Sequence, residues 1–309
     1  MKQFKIIGLM SGTSLDGLDI VYVNFYQDKN WKYEIINSKT YMYDKKWISS
    51  LENISKEKIN YVIKIDRDYT KLMSDYIHKF INEFSIKEID FVSSHGHTAL
   101  HQPSNSLTYQ IGNLPILAKY INQKVVCDFR IQDIELGGQG APLVPVGEKY
   151  LFPEYNTLIN LGGFANITRK IKDNLIAYDI CPINIVFNHL SKIMELKYDD
   201  RGQIASTGNL NEDLYSHLQK LNYYQQDSPK SLGIEWVNDQ IHPILKKFNN
   251  LPIKDLMNTV SNHFAVQIAE NIKDQDKVLV TGGGAYNDYL IDRIKNLTNS
   301  KITIPDPKI

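Results

Sequence analysis

The chain has 309 residues, more than one typical core accommodates, so two domains are expected. Its 35 basic and 35 acidic residues cancel, which removes the electrostatic footprint of a nucleic-acid or anionic-membrane binder and leaves small molecules as the expected partners. Two cysteines, Cys127 and Cys181, make no disulfide framework and lack metal-ligand spacing; with no apolar run of signal-peptide or membrane-spanning length, a soluble cytoplasmic protein is expected.

In chain order, the first feature is KIIGLMSGTSLDGLDIVYVNF at residues 5–25, two apolar runs around a turn of small and acidic residues. The run Ile20 to Val23 is β-branched and aromatic and reads as a strand, so the turn is a hairpin tip. A Walker loop would need a Lys and a helix start behind the glycines, and neither is present. Glycines at such a tip let backbone N–H groups approach a phosphate. Trp31 to Tyr43 then alternates as a strand, and Val62, Asp66, Tyr69, Met73, Tyr76, Ile77, Phe80 and Phe84 keep helical spacing. Ile89 to Val92 reads as a buried strand. Directly after it, SSHGHTALHQP sets His95, His97 and His101 close together. A zinc site, ordinary structural histidines and substrate contacts at a strand end are all readings of that cluster.

Glycine concentrates in QDIELGGQGAP ahead of Pro142 and Pro145, which marks a domain junction and divides the chain into 1–130 and 131–309. Beside it, Arg130 could hold an anionic group bidentately, or pair with Asp128 or Asp133 to brace the junction. The second half opens like the first, with the hairpin NLGGFANIT at Asn160 to Thr168, a pattern of internal duplication. Asp179 ends the apolar run Leu175 to Tyr178. It is either a base for an attacking hydroxyl or water, or a turn former and N-cap ahead of a helix at Asn184 to Ile193. Cys181 has no activating neighbour in sequence and reads as packing. The loops Asp199 to Gly202, Ser206 to Asn209 and the one around Lys230 are weak polar signals. Val260, Phe264, Ile268 and Ile272 form a helical stripe that leads into VTGGGAYN, a strand, glycine turn and helix suited to cradling a nucleotide.

GLMSGTSLDGLD, SSHGHTALHQP, DFRIQDIELGGQGAPLVP, NLGGFANI, PKSLGIEW and VTGGGAYN, in this order and over nearly the whole chain, resemble the anhydro-N-acetylmuramic acid kinase family. The resemblance implies an α/β fold of two ribonuclease H-like, actin-like ATPase domains around a central nucleotide cleft. It further implies ATP and Mg²⁺ as cofactors, and an anhydro amino sugar that is opened by water and phosphorylated on O6 for peptidoglycan recycling. Residue by residue, Gly12, Thr13, Ser14, Leu15, Asp16, Gly17, Leu18 and Asp19 match the first ATP loop, Gly162 and Gly163 the second, and Gly282, Gly283 and Gly284 the adenosine-side turn. Asp179 matches the general base, and His97, Arg130, Asp133 and Gly138 the substrate side. No metal ligand is assigned, because Met10 stands where many superfamily members carry Asp; a homodimer is an open expectation. Two further departures concern recognition. Asp179-Ile180-Cys181-Pro182-Ile183-Asn184 replaces the usual Asp-Thr-Gly-Pro-Gly-Asn, which raises the alternative of another amino sugar, and His97 replaces Gln, which would make that position pH-sensitive. The chain stops at Ile309 where relatives continue into a closing helical segment, so an ATP-binding module without turnover is the remaining alternative.

Overall fold

The computed structural model describes residues 1–305 apart from Thr13, Ser14, Pro103, Ser104, Ser106, Asp173 and Pro229. The chain divides into two compact units, Met1–Leu151 and Phe152–Ile309. The division falls later than the glycine-rich stretch suggested, because the helices Phe129–Glu135 and Val144–Leu151 pack beside strands of the first unit.

The first unit is built on an antiparallel meander, β1 (Lys2–Ser11), β2 (Gly17–Gln27) and β3 (Trp31–Met42). Next to β1 and parallel to it runs β4 (Phe91–Gln102). The first half of β4 pairs in parallel with β6 (Val125–Val126), the second half antiparallel with β5 (Leu107–Ile111). This pairing with β5 carries the strand on to Gln102, so His95, His97 and His101 lie within β4 rather than beyond its end.

In the second unit β7 (Thr157–Leu161), β8 (Phe164–Ile171) and β9 (Asn174–Pro182) form another antiparallel meander. Here β10 (Lys277–Thr281) is parallel to β7, and β11 (Lys301–Thr303) is parallel to β10. Counted from each unit's first strand, both sheets therefore share the ribonuclease H-like order 3-2-1-4, and beyond the fourth strand each adds a parallel one, the short β6 in the first unit, which shares β4 with the antiparallel β5, and β11 in the second. The duplication read from the two glycine hairpins is present in the topology.

Burial follows the sequence pattern in each unit separately. On helix Ile59–Glu83, Val62, Ile65, Tyr69, Met73, Ile77 and Phe80 recur at three- and four-residue intervals and are buried. They share a core with Ile7, Leu9, Leu18, Ile20, Val92 and Ile111 from the sheet. In the second unit, Val260, Phe264 and Ile268 of helix Ile253–Glu270 join Ile159, Leu161, Ile167, Val278 and Val280. Among the described residues no helix is long and apolar enough to cross a membrane.

Gly17 is fixed by packing between strands. A Cβ there would stand 2.5 Å from the Tyr41 carbonyl oxygen and 2.8 Å from the Thr40 methyl, both held by the β2–β3 ladder. Gly17→Ala is therefore expected to destabilise the first unit by about 2–3 kcal/mol, read as a lower urea midpoint with unchanged slope.

Candidate active site

Asp179 sits in β9, opposite Asn166, where a bulge in the β8–β9 ladder interrupts the register next to Ile180. It caps no helix, since Ile183 occupies the N-cap position of helix Asn184–Ile193. Instead, a strap fifty residues downstream grips it. Its backbone N–H donates to the Lys230 carbonyl at 3.0 Å, and its own carbonyl accepts from the Tyr223 hydroxyl at 2.6 Å. One carboxylate oxygen, Oδ2, accepts from the Leu232 N–H at 2.9 Å and the Ser231 hydroxyl at 3.1 Å. The other, Oδ1, has no protein partner among the described residues. The carboxylate is half-buried; it is held through one oxygen and presents the other, the arrangement a general base requires.

Lys230 contributes to this grip without touching the carboxylate. Its ammonium donates to the Tyr223 and Gln226 carbonyls, both at 3.0 Å, and lies 4.7 Å from the centre of the Tyr223 ring. It thereby ties the strap to the Tyr223 turn and is not a solvated lysine. Tyr223, Ser231 and Leu232 escaped sequence reasoning as partners of Asp179; the only signal was the PKSLG string, which has no local chemistry of its own.

The residues that depart from the family pattern beside Asp179 are packed in the core of the second unit. Ile180, Cys181 and Ile183 are 1%, 0% and 0% exposed. Burial, with Asp179 adding to it, pushes the Cys181 thiol well above its ordinary range, so it is inert packing.

Two glycine turns of the second unit lie near helix Asn184–Ile193. Gly163 connects β7 to β8, and its carbonyl accepts from the N–H groups of Ile183 at 2.8 Å and Ile185 at 3.3 Å. Gly282 to Gly284 follow β10, and a Cβ on Gly284 would stand 2.8 Å from Leu161 Cβ. Gly283 is different: a Cβ would meet nothing nearer than Asn184 at 4.0 Å, and one on Gly163 nothing nearer than Ile185 at 3.5 Å. Packing does not demand glycine at these two positions, and a Cβ at either would find room. Beside Gly283 and Gly284 opens a cavity of about 300 Å³, lined also by Asn184, Phe187, Asn188, Asp199, Arg201 and Tyr286. Its amides and aromatic rings suit the flat, hydrogen-bonding end of a nucleotide. The loop Asp199 to Gly202, a weak signal in the sequence, supplies one wall.

In the first unit, Arg130 donates from Nε to His95 Nε2 at 2.8 Å and from Nη1 to the Gly140 carbonyl at 2.7 Å. Asp133 does not pair with it. Its Oδ2 accepts from the Gly140 N–H at 2.7 Å, and its carboxylate packs so closely on Gly138 that any Cβ there would collide with it. Arg130, Asp133 and Gly138 are thus brought together with His95 around one loop.

His97 lies apart from that loop. It is 2% exposed, and its Nδ1 stands 2.9 Å from the Ser11 hydroxyl. Tyr43 donates to Ser11 at 2.8 Å and shares a 2.5 Å hydrogen bond with Tyr69. Burial first, then the nearby His95, pushes the His97 ring down to about 4, so it stays neutral across the physiological range instead of sensing pH. Its place is beneath the first glycine turn, bracing Ser11.

The three histidines engage three different partners, Arg130, Ser11 and Thr108, and do not converge as metal ligands would. Of the first ATP loop, Gly12, Leu15 and Asp16 form the described part of the β1–β2 turn, while Thr13 and Ser14 lie outside the described residues. Gly17, Leu18 and Asp19 belong to β2. Leu18 is a core residue at 1% exposure, and Asp19 accepts from the Thr40 hydroxyl at 2.5 Å.

The family described as anhydro-N-acetylmuramic acid kinase matches residues 4–305. A protein of that name from Sulfurimonas denitrificans is 34% identical, covering 99% of this chain and 88% of its own. Another, from Clostridioides difficile strain 630, is 35% identical over 94% of this chain and 83% of its own. Among solved structures, component A of (R)-2-hydroxyglutaryl-CoA dehydratase from Acidaminococcus fermentans superposes with a TM-score of 0.50 at 12% identity, covering 97% of this chain and 92% of that one. At that identity the likeness concerns the fold alone.

Proposed function

The chain belongs to the anhydro-N-acetylmuramic acid kinase family, and from that premise we propose that it phosphorylates 1,6-anhydro-N-acetylmuramic acid at the expense of ATP. Water adds to the anomeric carbon while Asp179 Oδ1 takes one of its protons. The bond from that carbon to O6 breaks, and the freed O6 electron pair attacks the γ-phosphorus of ATP. ADP leaves, N-acetylmuramic acid 6-phosphate remains, and the proton on Asp179 passes to solvent. The reaction would serve peptidoglycan recycling in the cytoplasm. The observation that carries this reading is the carboxylate of Asp179, saturated on one oxygen by Ser231 and Leu232 and open on the other.

Phosphoryl transfer depends mainly on positioning and charge neutralisation. In this reading the turns at Gly12 to Asp16, Gly162-Gly163 and Gly282 to Gly284 bind ATP, the last with its cavity receiving the nucleoside end. Arg130, Asp133 and Gly138 serve the sugar, and His97 supports the first turn from below. Magnesium would come with the nucleotide's phosphates and supply charge neutralisation there. The buried positions of Ile180, Cys181 and Ile183 argue against a changed sugar, because the substitutions fill core space. An ADP-release assay with anhydro-N-acetylmuramic acid, set against other anhydro and open-chain amino sugars, tests the proposal. Turnover confined to a different sugar, or ATP binding with no ADP formed on any of them, would refute it.

A further inference from the structure

The first glycine turn leaves β1 at Ser11 and enters β2 at Gly17, and one residue from elsewhere in the first unit reaches both of its ends. Tyr43 follows β3; its hydroxyl donates to Ser11 Oγ at 2.8 Å, and its backbone N–H donates to the Asp16 carbonyl at 3.4 Å. Ser11 in turn is brought opposite His97 because the β1–β4 ladder shifts register between Leu9 and Ser11. Its hydroxyl stands 2.9 Å from His97 Nδ1. Behind Tyr43, the hydroxyl of Tyr69 on helix Ile59–Glu83 lies 2.5 Å from the Tyr43 hydroxyl. The Tyr69 ring packs against Trp47 at 5.6 Å and His97 at 6.3 Å between centroids.

The protons of this chain of groups run in one direction. Each hydroxyl carries one, and Tyr43 gives its own to Ser11. Ser11 is then left to donate to His97 Nδ1, and Tyr69 to donate to Tyr43. His97 must therefore carry its hydrogen on Nε2. Burial, foremost, pushes both tyrosine hydroxyls above their ordinary range and the imidazole down to about 4, so every proton stays where this order needs it. All four residues are at most 5% exposed, and water does not compete for the bonds. Phenylalanine at 43 and 69 would fill the same core volume without a hydroxyl to desolvate. Both hydroxyls instead lead to the residue before Gly12, and a buried network with every proton placed fixes one geometry.

We propose that Tyr43 and Tyr69 are positioning residues for the nucleotide's phosphates: through Ser11 and His97 their hydroxyls close the neck of the first glycine turn and hold it in the shape that accepts them. Tyr43 acts directly, by tying the residue before the turn to the carbonyl at its far end. Tyr69 acts through Tyr43, by fixing the direction in which that hydroxyl donates. Neither residue touches a reacting atom. The proposal rests on the ATP reading given above.

Binding and NMR test it together. In titration calorimetry of the full chain, Tyr43→Phe is expected to weaken ATP about 5- to 30-fold and Tyr69→Phe about two- to fivefold. Adenosine, which has no phosphate to place, should bind each variant as it binds the intact protein. Both changes keep the ring, so the variants should stay folded, with slightly lower melting temperatures. In the kinase assay KM for ATP should rise and KM for the sugar should not. The ring-nitrogen shifts of His97 should show the Nε2–H tautomer in the intact protein and a mixture of tautomers in Tyr43→Phe, where Ser11 is free to donate or accept. Lower melting temperatures with ATP affinity unchanged, equal weakening of ATP and adenosine, or the Nδ1–H tautomer in the intact protein would each overturn the proposal. If the intact protein binds ATP and forms no ADP, the kinase reading fails while the same calorimetry still decides the role of the tyrosines; if it binds no ATP, both fail.

Discussion

Asp179→Asn is expected to abolish turnover by about 10²- to 10⁴-fold, the usual contribution of a positioned general base, while the protein folds and binds nucleotide as before. The amide is nearly isosteric. Its oxygen can take the place of Oδ2 and accept from Ser231 and Leu232, which leaves an NH₂ group at the Oδ1 position, where it cannot take a proton. Single-turnover ADP formation measures the loss, and an unchanged melting temperature shows that the strap still holds. Ser231→Ala removes one of the two donors and leaves the other, so a smaller drop, about three- to tenfold, is expected in kcat with KM for both substrates unchanged. Full turnover by the Asn variant would remove Asp179 from the chemistry.

The local architecture was legible because it is encoded in periodicity. Ile20 to Val23, the alternation from Trp31 and the stripe Val62 to Phe80 each fix one element from its own residues, and the two glycine hairpins announced the duplicated topology. What depends on distant pairing was not legible. The β5 strand that prolongs β4 through the histidines, and so moves them from a strand end into the sheet, is recruited by hydrogen bonds that no local pattern records. The glycine-rich stretch at 137–140 read as a domain junction. It is a loop fastened by Arg130 and Asp133 within the first unit. At the candidate site the family pattern located Asp179, but its grip comes from residues 44 to 53 positions away. The substitutions beside it, Ile180, Cys181 and Ile183, lie in the core, which their local sequence did not record.

His263 was invisible to periodicity because a polar residue interrupts the stripe of Val260, Phe264 and Ile268, yet it is 0% exposed. Neither of its ring nitrogens has a hydrogen-bond partner among the described residues. Around it stand aromatic rings: Tyr224 at 4.9 Å, Phe264 at 5.5 Å and Tyr215 at 6.2 Å between centroids. Burial pushes its pKa down to about 3. In the unfolded chain the same imidazole titrates near 6.5. Between those values the unfolded state binds a proton that the folded state refuses, so stability is complete above about pH 6.5 and is lost as pH falls towards 3. The slope reaches about 1.4 kcal/mol per pH unit, and the whole effect is about 5 kcal/mol. Phe at this position keeps the ring contacts and removes two unpaired polar atoms. His263→Phe is therefore expected to raise the urea midpoint at pH 7 modestly and to widen that advantage by about 2 kcal/mol at pH 5, followed by the fluorescence of Trp236, which packs against Tyr224. Carboxylates that titrate in the same range are common to both proteins and cancel in the comparison. An equal loss on acidification in the two would mean that the imidazole is hydrated or paired in solution and contributes nothing to the acid limb.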